Sequence, residues 1–382
     1  MNREEPRIYF DHASTTPLDQ EVLDVMLPFL KSNFGNASSV HWFGQVAAVA
    51  VENARRQTAD FLGCRPNEIY FTSGATESNN LVIRGLPQKG QHIIVSQIEH
   101  PSILEPAKLV ERQGIEVTYL PVDQRGLISS ADLKSAIKDN TVLVSVMYVN
   151  NEIGTIQPIT EISQLLQESN ETREHKIFFH TDAVQAANYC DLKVDNLGVD
   201  LLSLSAHKIY GPKGIGLLYR KSTVALEPLI AGGGQEYGLR SGTLNVSGIV
   251  GFGKAIEMAE QAKAEEARKI SELRDYLISA VLKKIPTAKI NGDLIKRVAN
   301  NANFSFPGSE GETILMLLDQ CGLAVSSGSA CSSGSLDPSH VLLALGLDNE
   351  TAKASVRITL GRTNDKKQID KLVKELIKVL KK

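Results

Sequence analysis

The chain has 382 residues, with 41 Lys and Arg against 44 Asp and Glu and a net charge of −3. That length has room for a large core and two domains, and charge spread without a basic block argues against a general nucleic-acid surface. No apolar stretch reaches the roughly 20 residues of a membrane-spanning helix. The first twenty residues carry Glu4, Glu5, Asp11 and Asp19 where a targeting signal would be acid-poor, so a cytoplasmic location is expected.

In chain order, residues 8–10 read as a strand and 11–17 as a polar turn, after which Asp19 caps a helix to about Leu30. Small and apolar residues recur at helical spacing from Phe43 to Leu62, and Gly63 closes the run. Residues 68–72 read as a strand leading through Ser73-Gly74-Ala75-Thr76 into a helix. Backbone N–H groups at such a helix start, with hydroxyls beside them, suit a phosphate, although a capping box explains the same residues. Strand and helix then alternate: 92–96, 103–113, 116–120, 131–138, 142–148 and 159–168. This alternation predicts a mainly parallel sheet between helices, with ligands at the carboxyl ends of its strands. His100, before Pro101, and Asn151 fall at two such ends, where a helix cap and a turn asparagine are the plainer readings. Residues 169–176 read as a solvated loop.

The next strand ends on Asp182, with Gln185 three residues on. A carboxylate at the end of a buried strand needs a cationic partner, unless it caps the following residues. Lys208 lies between two apolar runs, 199–204 and 215–219. An amine held away from bulk water loses part of the solvation that keeps it protonated and becomes a nucleophile toward an aldehyde, whereas a hairpin lysine on the surface would do nothing of the kind. A strand-end Asp with a lysine that forms a Schiff base is the recurring pairing around pyridoxal phosphate.

Residues 231–243 form the most glycine-dense loop, and 246–284 read as one long charged helix, with a domain boundary near Glu257. Strands at 303–306 and 355–359 and helices at 311–319 and 366–380 then make a small α+β unit. Arg357 points away from the face shared by Val356 and Ile358, and its planar guanidinium suits a carboxylate, either a substrate's or that of a surface ion pair. Of the four cysteines, Cys64, Cys190 and Cys321 need no special explanation and none has zinc or disulfide spacing. Cys331 differs: it sits in the ten residues 326–335, which hold six serines and two glycines. A thiol on a polar loop is accessible, unlike the usual buried cysteine.

Asp182-Ala183-Val184-Gln185, Ser205-Ala206-His207-Lys208 and Ser326-Ser327-Gly328-Ser329-Ala330-Cys331 together resemble the cysteine desulfurases of the NifS/IscS type, class V aminotransferases of the fold-type I pyridoxal-phosphate group. The resemblance runs from Tyr9 to about Leu376. It implies an α/β fold: a large domain over 17–257 with a mainly parallel seven-stranded sheet flanked by helices, and a small α+β domain over 258–382, joined by 1–16, that carries the Cys331 loop. Pyridoxal 5'-phosphate is the implied cofactor, anchored on Lys208. By resemblance Ala75, Thr76, Ser205 and His207 hold its phosphate, Asp182 and Gln185 its ring, and His100 stacks on that ring and moves protons. Asn151 would lie on the phenolic-oxygen side of the cofactor and, with Arg357, take the carboxylate of L-cysteine. Thr243 would reach the cofactor phosphate of the second subunit in a homodimer. Cys331 would take the sulfur as a persulfide, release L-alanine, and serve an iron–sulfur scaffold or another acceptor protein, touching a cluster transiently with no resident metal. Neither nucleic acid nor membrane is an implied partner. Selenocysteine lyase or transaminase activity on the same fold, and a non-catalytic scaffold, are the competing readings. Ala37 stands where the family usually has proline, and Tyr237 where it often has arginine.

Overall fold

Short apolar runs between turn residues become twelve strands in the computed structural model, which describes residues 7–327 and 337–381. In chain order they are β1 (Ile8–Tyr9), β2 (Ile69–Thr72), β3 (His92–Ser96), β4 (Glu116–Leu120), β5 (Thr141–Ser145), β6 (Phe178–Asp182), β7 (Leu201–Ser205), β8 (Gly216–Arg220), β9 (Lys289–Ile290), β10 (Asn301–Ser305), β11 (Leu323–Ala324) and β12 (Ser355–Thr359). Seven of them make one sheet in the order β2-β8-β7-β6-β5-β3-β4. Only β8 runs against its neighbours, pairing antiparallel with both β2 and β7. The inner strands are buried on both faces, so alternate residues enter separate cores. Ile94, Val144, Phe179 and Leu202 join one, and Ile93, Val95, Leu143 and Leu201 the other. Each fully buried leucine or isoleucine contributes about 1.5–3 kcal/mol.

The long helix expected from the sequence runs Val246–Lys284 without a break. Its first part packs Ile249, Phe252 and Ile256 against the large sheet. Its second part packs Ile270, Leu277 and Val281 against another core, made with β10, β12 and the helix Lys366–Val379. There β10 lies between β12 and β9, antiparallel to both. The amino-terminal β1 pairs parallel with β11, and Phe10 is buried in this second core. Among the described residues no helix is long and apolar enough to cross a membrane.

Several boundaries differ from expectation for local reasons. The helix after β3 begins at Pro101, not residue 103, because His100 caps it and proline at the first position forfeits no hydrogen bond. β5 ends at Ser145 on its β3 side, yet Val146 and Tyr148 continue to donate to the carbonyls of His180 and Asp182. The helix Ile159–Asn170 extends into the stretch read as loop, since the Asn170 side chain bonds both N and O of Ile177 and closes the turn. β10 starts two residues early, at Asn301, whose amide bonds the Glu152 carbonyl. Propensity gives no hint of such a distant partner.

Candidate active site

Strand register assembles the site. Gly216 pairs with Thr72 on one side and Ser205 on the other, while Asp182 pairs with Ser203. The turn after β2, the end of β6 and the turn after β7 therefore meet at one edge of the sheet. A Cβ on Gly216 would lie 2.6 Å from the backbone of Gly74, so glycine is what lets that turn sit against the strand. The strand order then adds the loops after β5 and β3, which bring Asn151 and His100.

These ends surround a cavity of about 610 Å³. On one wall lie Ser73 to Thr76, at the amino end of the helix Ala75–Gly85, with Ser205, His207 and Lys213. The first turn of a helix offers N–H groups without helical partners and the positive end of its dipole. His207 Nδ1 meets Thr15 Oγ1 at 3.1 Å. Burial, reinforced by the charges of Lys208 and Lys213, pushes the His207 pKa down to about 4, so the ring is neutral at pH 7.

Lys208 follows β7 in a short 3-10 turn, and its Nζ donates to the carbonyls of Ala13 and Ser14 at 2.6 and 2.5 Å. Gln185 Nε2 donates to the same Ala13 carbonyl at 2.9 Å. Asp182 is buried at the end of β6 and accepts from Val184 N at 3.0 Å and Asn79 Nδ2 at 2.7 Å. It caps the next turn, as the plainer reading has it, and it also lines the cavity. His100 lines the opposite side, with Nδ1 within 2.8 Å of Ser102 Oγ. Burial, together with the charges of Lys208 and His340, keeps its pKa below the usual histidine value against the pull of Asp182.

Arg357, on β12, reaches the cavity from the second core. Its Nη1 donates to the Asn151 carbonyl at 3.0 Å, and its Nη2 to Asp11 Oδ1 at 2.8 Å and Ser14 Oγ at 2.7 Å. Its Nε is buried without a partner among the described residues. Residues 11–16 thus run as a strap between the lysine and the arginine. Thr243 is exposed and lies outside this cavity, and Cys331 lies outside the described residues.

Several functional neighbours escape sequence reading. Asn79 and Ser102 bridge Asp182 to His100. Asn79, three residues past Thr76, carries no signal in the sequence that sets it apart from a surface asparagine. Glu99 is fully buried, with Met147 N on its carboxylate at 2.6 Å, and burial, opposed by that bond and aided by the charge of Asp182, raises its pKa well above the usual range. Glu152 accepts from Ser339 Oγ at 2.5 Å, and His340 Nε2 meets the Glu99 carbonyl at 3.0 Å. Ser326 forms a two-bond bridge with the backbone of Arg357. The chain on both sides of the cysteine-bearing segment is therefore fastened beside the cavity.

The family described as aminotransferase class-V matches residues 8–372. A cysteine desulfurase IscS of Clostridium botulinum (strain Hall) is 50% identical over 387 aligned residues, spanning 100% of this chain and 95% of that protein. The chain belongs to the class-V aminotransferase family, in its cysteine desulfurase branch. Among solved structures, a NifS-like protein superposes on this desulfurase with a TM-score of 0.91 and 37% identity, covering 98% of this chain and 99% of that one. A structure described as SspA in complex with cysteine gives a TM-score of 0.81 at 38% identity, covering 92% of this chain and 98% of that one. The seven-stranded sheet with its small antiparallel companion is the NifS-like fold. Cysteine desulfurases of class V use pyridoxal phosphate. The cavity suits that group: a helix amino end beside hydroxyls for a phosphate, a buried carboxylate that accepts from the neutral donors Asn79 Nδ2 and Val184 N for a protonated ring nitrogen, and an amine between them.

Proposed function

We propose that this desulfurase converts L-cysteine to L-alanine in the cavity around Lys208 and passes the sulfur on through Cys331. The convergence of Lys208, Asp182 and Arg357 in one cavity carries this reading. Pyridoxal phosphate supplies, when bound, an electron sink for the bonds around the substrate's α-carbon. Lys208 would anchor that group through Nζ, and as a free amine would move the α-proton of the substrate. Ala75, Thr76, Ser205 and His207 hold the phosphate, Asp182 keeps the ring nitrogen protonated, and Gln185 supports the ring from beside the strap. The unpartnered Nε of Arg357 is a donor left for the substrate carboxylate, with Asn151 alongside.

The Cys331 thiolate bonds to the substrate sulfur while the Cβ–S bond gives its electron pair to Cβ, which takes a proton and leaves as alanine. The five residue steps from Ser326 to Cys331 span at most about 18 Å, and Ser326 is bridged to Arg357, so the thiol's tether starts at the residue proposed to bind the substrate. An iron–sulfur scaffold or another acceptor protein then takes the persulfide sulfur, in a reducing cytoplasm. A homodimer is supported by an exposed aromatic patch in which Phe34 stacks on Phe43 at 5.5 Å and Trp42 meets Phe43 edge-on at 5.0 Å. Thr243, which is exposed, would complete the second subunit's phosphate site in such a dimer.

Mass spectrometry after incubation with L-cysteine tests the reading: one extra sulfur on the peptide containing Cys331 is expected. Alanine release that persists after Cys331→Ser, with sulfide formed as before, would contradict the role of that thiol.

A further inference from the structure

A buried ion pair fastens the glycine-dense loop 231–243 to the large sheet. β2 is an edge strand, bonded only to β8, so part of its backbone faces away from the sheet. Two of those outward groups are met by charged side chains. Glu236 Oε2 accepts from Phe71 N at 2.7 Å, and Arg55 Nη1 donates to the Ile69 carbonyl at 2.6 Å. The same two side chains bond each other through both carboxylate oxygens, at 2.6 and 3.0 Å, with 3% and 0% of their surfaces exposed. Glu236 and Tyr237 stand at φ 47° and 54°, left-handed conformations that strain any residue carrying a side chain. Such strain persists only where the surroundings over-determine it. Here the carboxylate of one strained residue is gripped from three directions.

From that anchor the loop returns to the phosphate-binding turn. Ser241 Oγ donates to the Gly233 carbonyl and Gly242 N to Gln235 Oε1, which closes the loop on itself. Arg240 Nε then donates to Glu77 Oε1 at 2.9 Å, while Glu77 Oε2 accepts from Ser73 N at 2.7 Å. Glu77 lies in the first turn of the helix Ala75–Gly85, whose amino end is the one that would take the cofactor phosphate. Burial alone would raise its pKa. The bonds from Arg240 and Ser73 outweigh burial and hold it below the usual carboxylate value, so Glu77 is ionised at pH 7. An ionised carboxylate beside a phosphate repels it unless a cation answers the charge.

We propose that Arg55 and Glu236 are positioning residues for the cofactor phosphate: they fix the loop on the edge of β2 so that Arg240 neutralises Glu77 beside the phosphate-binding turn. The proposal deepens the reading of the cavity as a pyridoxal-phosphate site and rests on it.

Phosphorus NMR of the holoenzyme, which reads the cofactor phosphate alone, tests this beside the rate of cofactor loss on dialysis. Arg240→Gln leaves the Glu77 charge unanswered, and a like charge disfavours the doubly ionised phosphate. Its titration is expected to move to higher pH and cofactor release to quicken roughly 3- to 30-fold, with Arg240→Lys restoring most of both. Arg55→Met with Glu236→Met removes the pair without leaving a lone buried charge, and is expected to reproduce Arg240→Gln. Glu236→Gln, which keeps the shape and an acceptor for Phe71 N, stands in if the double variant does not fold. A wild-type phosphorus titration and release rate in Arg240→Gln would overturn the proposal. So would a folded variant of the pair that keeps both while Arg240→Gln loses them, or failure of both pair variants to fold, since the pair would then serve the fold alone. Borohydride labelling of Lys208 is expected in every loaded variant, so failure here is distinguishable from failure of the cofactor site itself.

Discussion

The interior of the central sheet and its carboxyl edge both hold polar groups out of water, and they differ in how many of those atoms the chain itself satisfies. In the interior, His180 of β6 bonds Ser145 Oγ on one neighbouring strand at 2.8 Å and Ser203 Oγ on the other at 3.0 Å. Both ring nitrogens are used, and burial alone pushes the pKa down to about 3. At the edge, beyond the end of β3, which lies two strands over from β6 in the same sheet, His100 has Nδ1 tied to Ser102 and its other nitrogen left to the cavity. Arg357 likewise has its two terminal nitrogens bonded and Nε unpartnered among the described residues. A fully satisfied buried group stabilises a fold, whereas a half-satisfied one is held in place with an atom to spare for a ligand.

That contrast predicts that substitutions at the edge cost activity and substitutions in the interior cost stability. The largest effect is expected at Lys208. Lys208→Ala removes the anchor and the proton-moving amine, with a loss of about 10²–10⁴-fold in turnover and little change in the urea midpoint. Steady-state kinetics beside urea unfolding check this, and a midpoint lowered in step with activity would erase the distinction. Next comes Arg357→Lys, which keeps the charge but loses the planar donor set. A charge-assisted hydrogen bond contributes about 1.5–3 kcal/mol, so KM for L-cysteine is expected to rise roughly 10- to 100-fold. The smallest effect belongs to the interior and appears as pH dependence. The folded pKa of His180 lies below the ordinary 6.5, so the unfolded chain takes up this proton first. Its contribution is complete above about pH 6.5 and declines by about 1.4 kcal/mol per pH unit as pH falls toward the folded value. Urea titrations at pH 6.5, 5.5 and 4.5 measure the slope, and His180→Asn should flatten it.

Much of this edge was legible in the linear chain because its parts are local. A strand ending on Asp182, a lysine between two apolar runs, and a glycine turn entering a helix each place one residue at a strand end, and strand ends of a parallel sheet point the same way. The rest is long-range. Arg357 bonds Asp11, 346 residues away in sequence, and no periodicity announces such a contact. Asn79 and Ser102 meet only because the helices after β2 and β3 pack side by side, although β2 and β3 are not neighbours in the sheet. The extra length of β10 is of the same kind, since asparagines enter a strand there to satisfy a carbonyl from another part of the chain. Cys331 was singled out by the polarity of its surroundings in the sequence, and its place lies outside the described residues.

The account turns on one covalent attachment at the edge of the sheet, and chemical trapping examines it most directly. Borohydride makes a lysine–pyridoxal linkage permanent, and peptide mapping of the treated holoenzyme then locates it. The account predicts a single pyridoxyl group, on Lys208. A label on another lysine, or a cofactor that washes away after reduction, would contradict it.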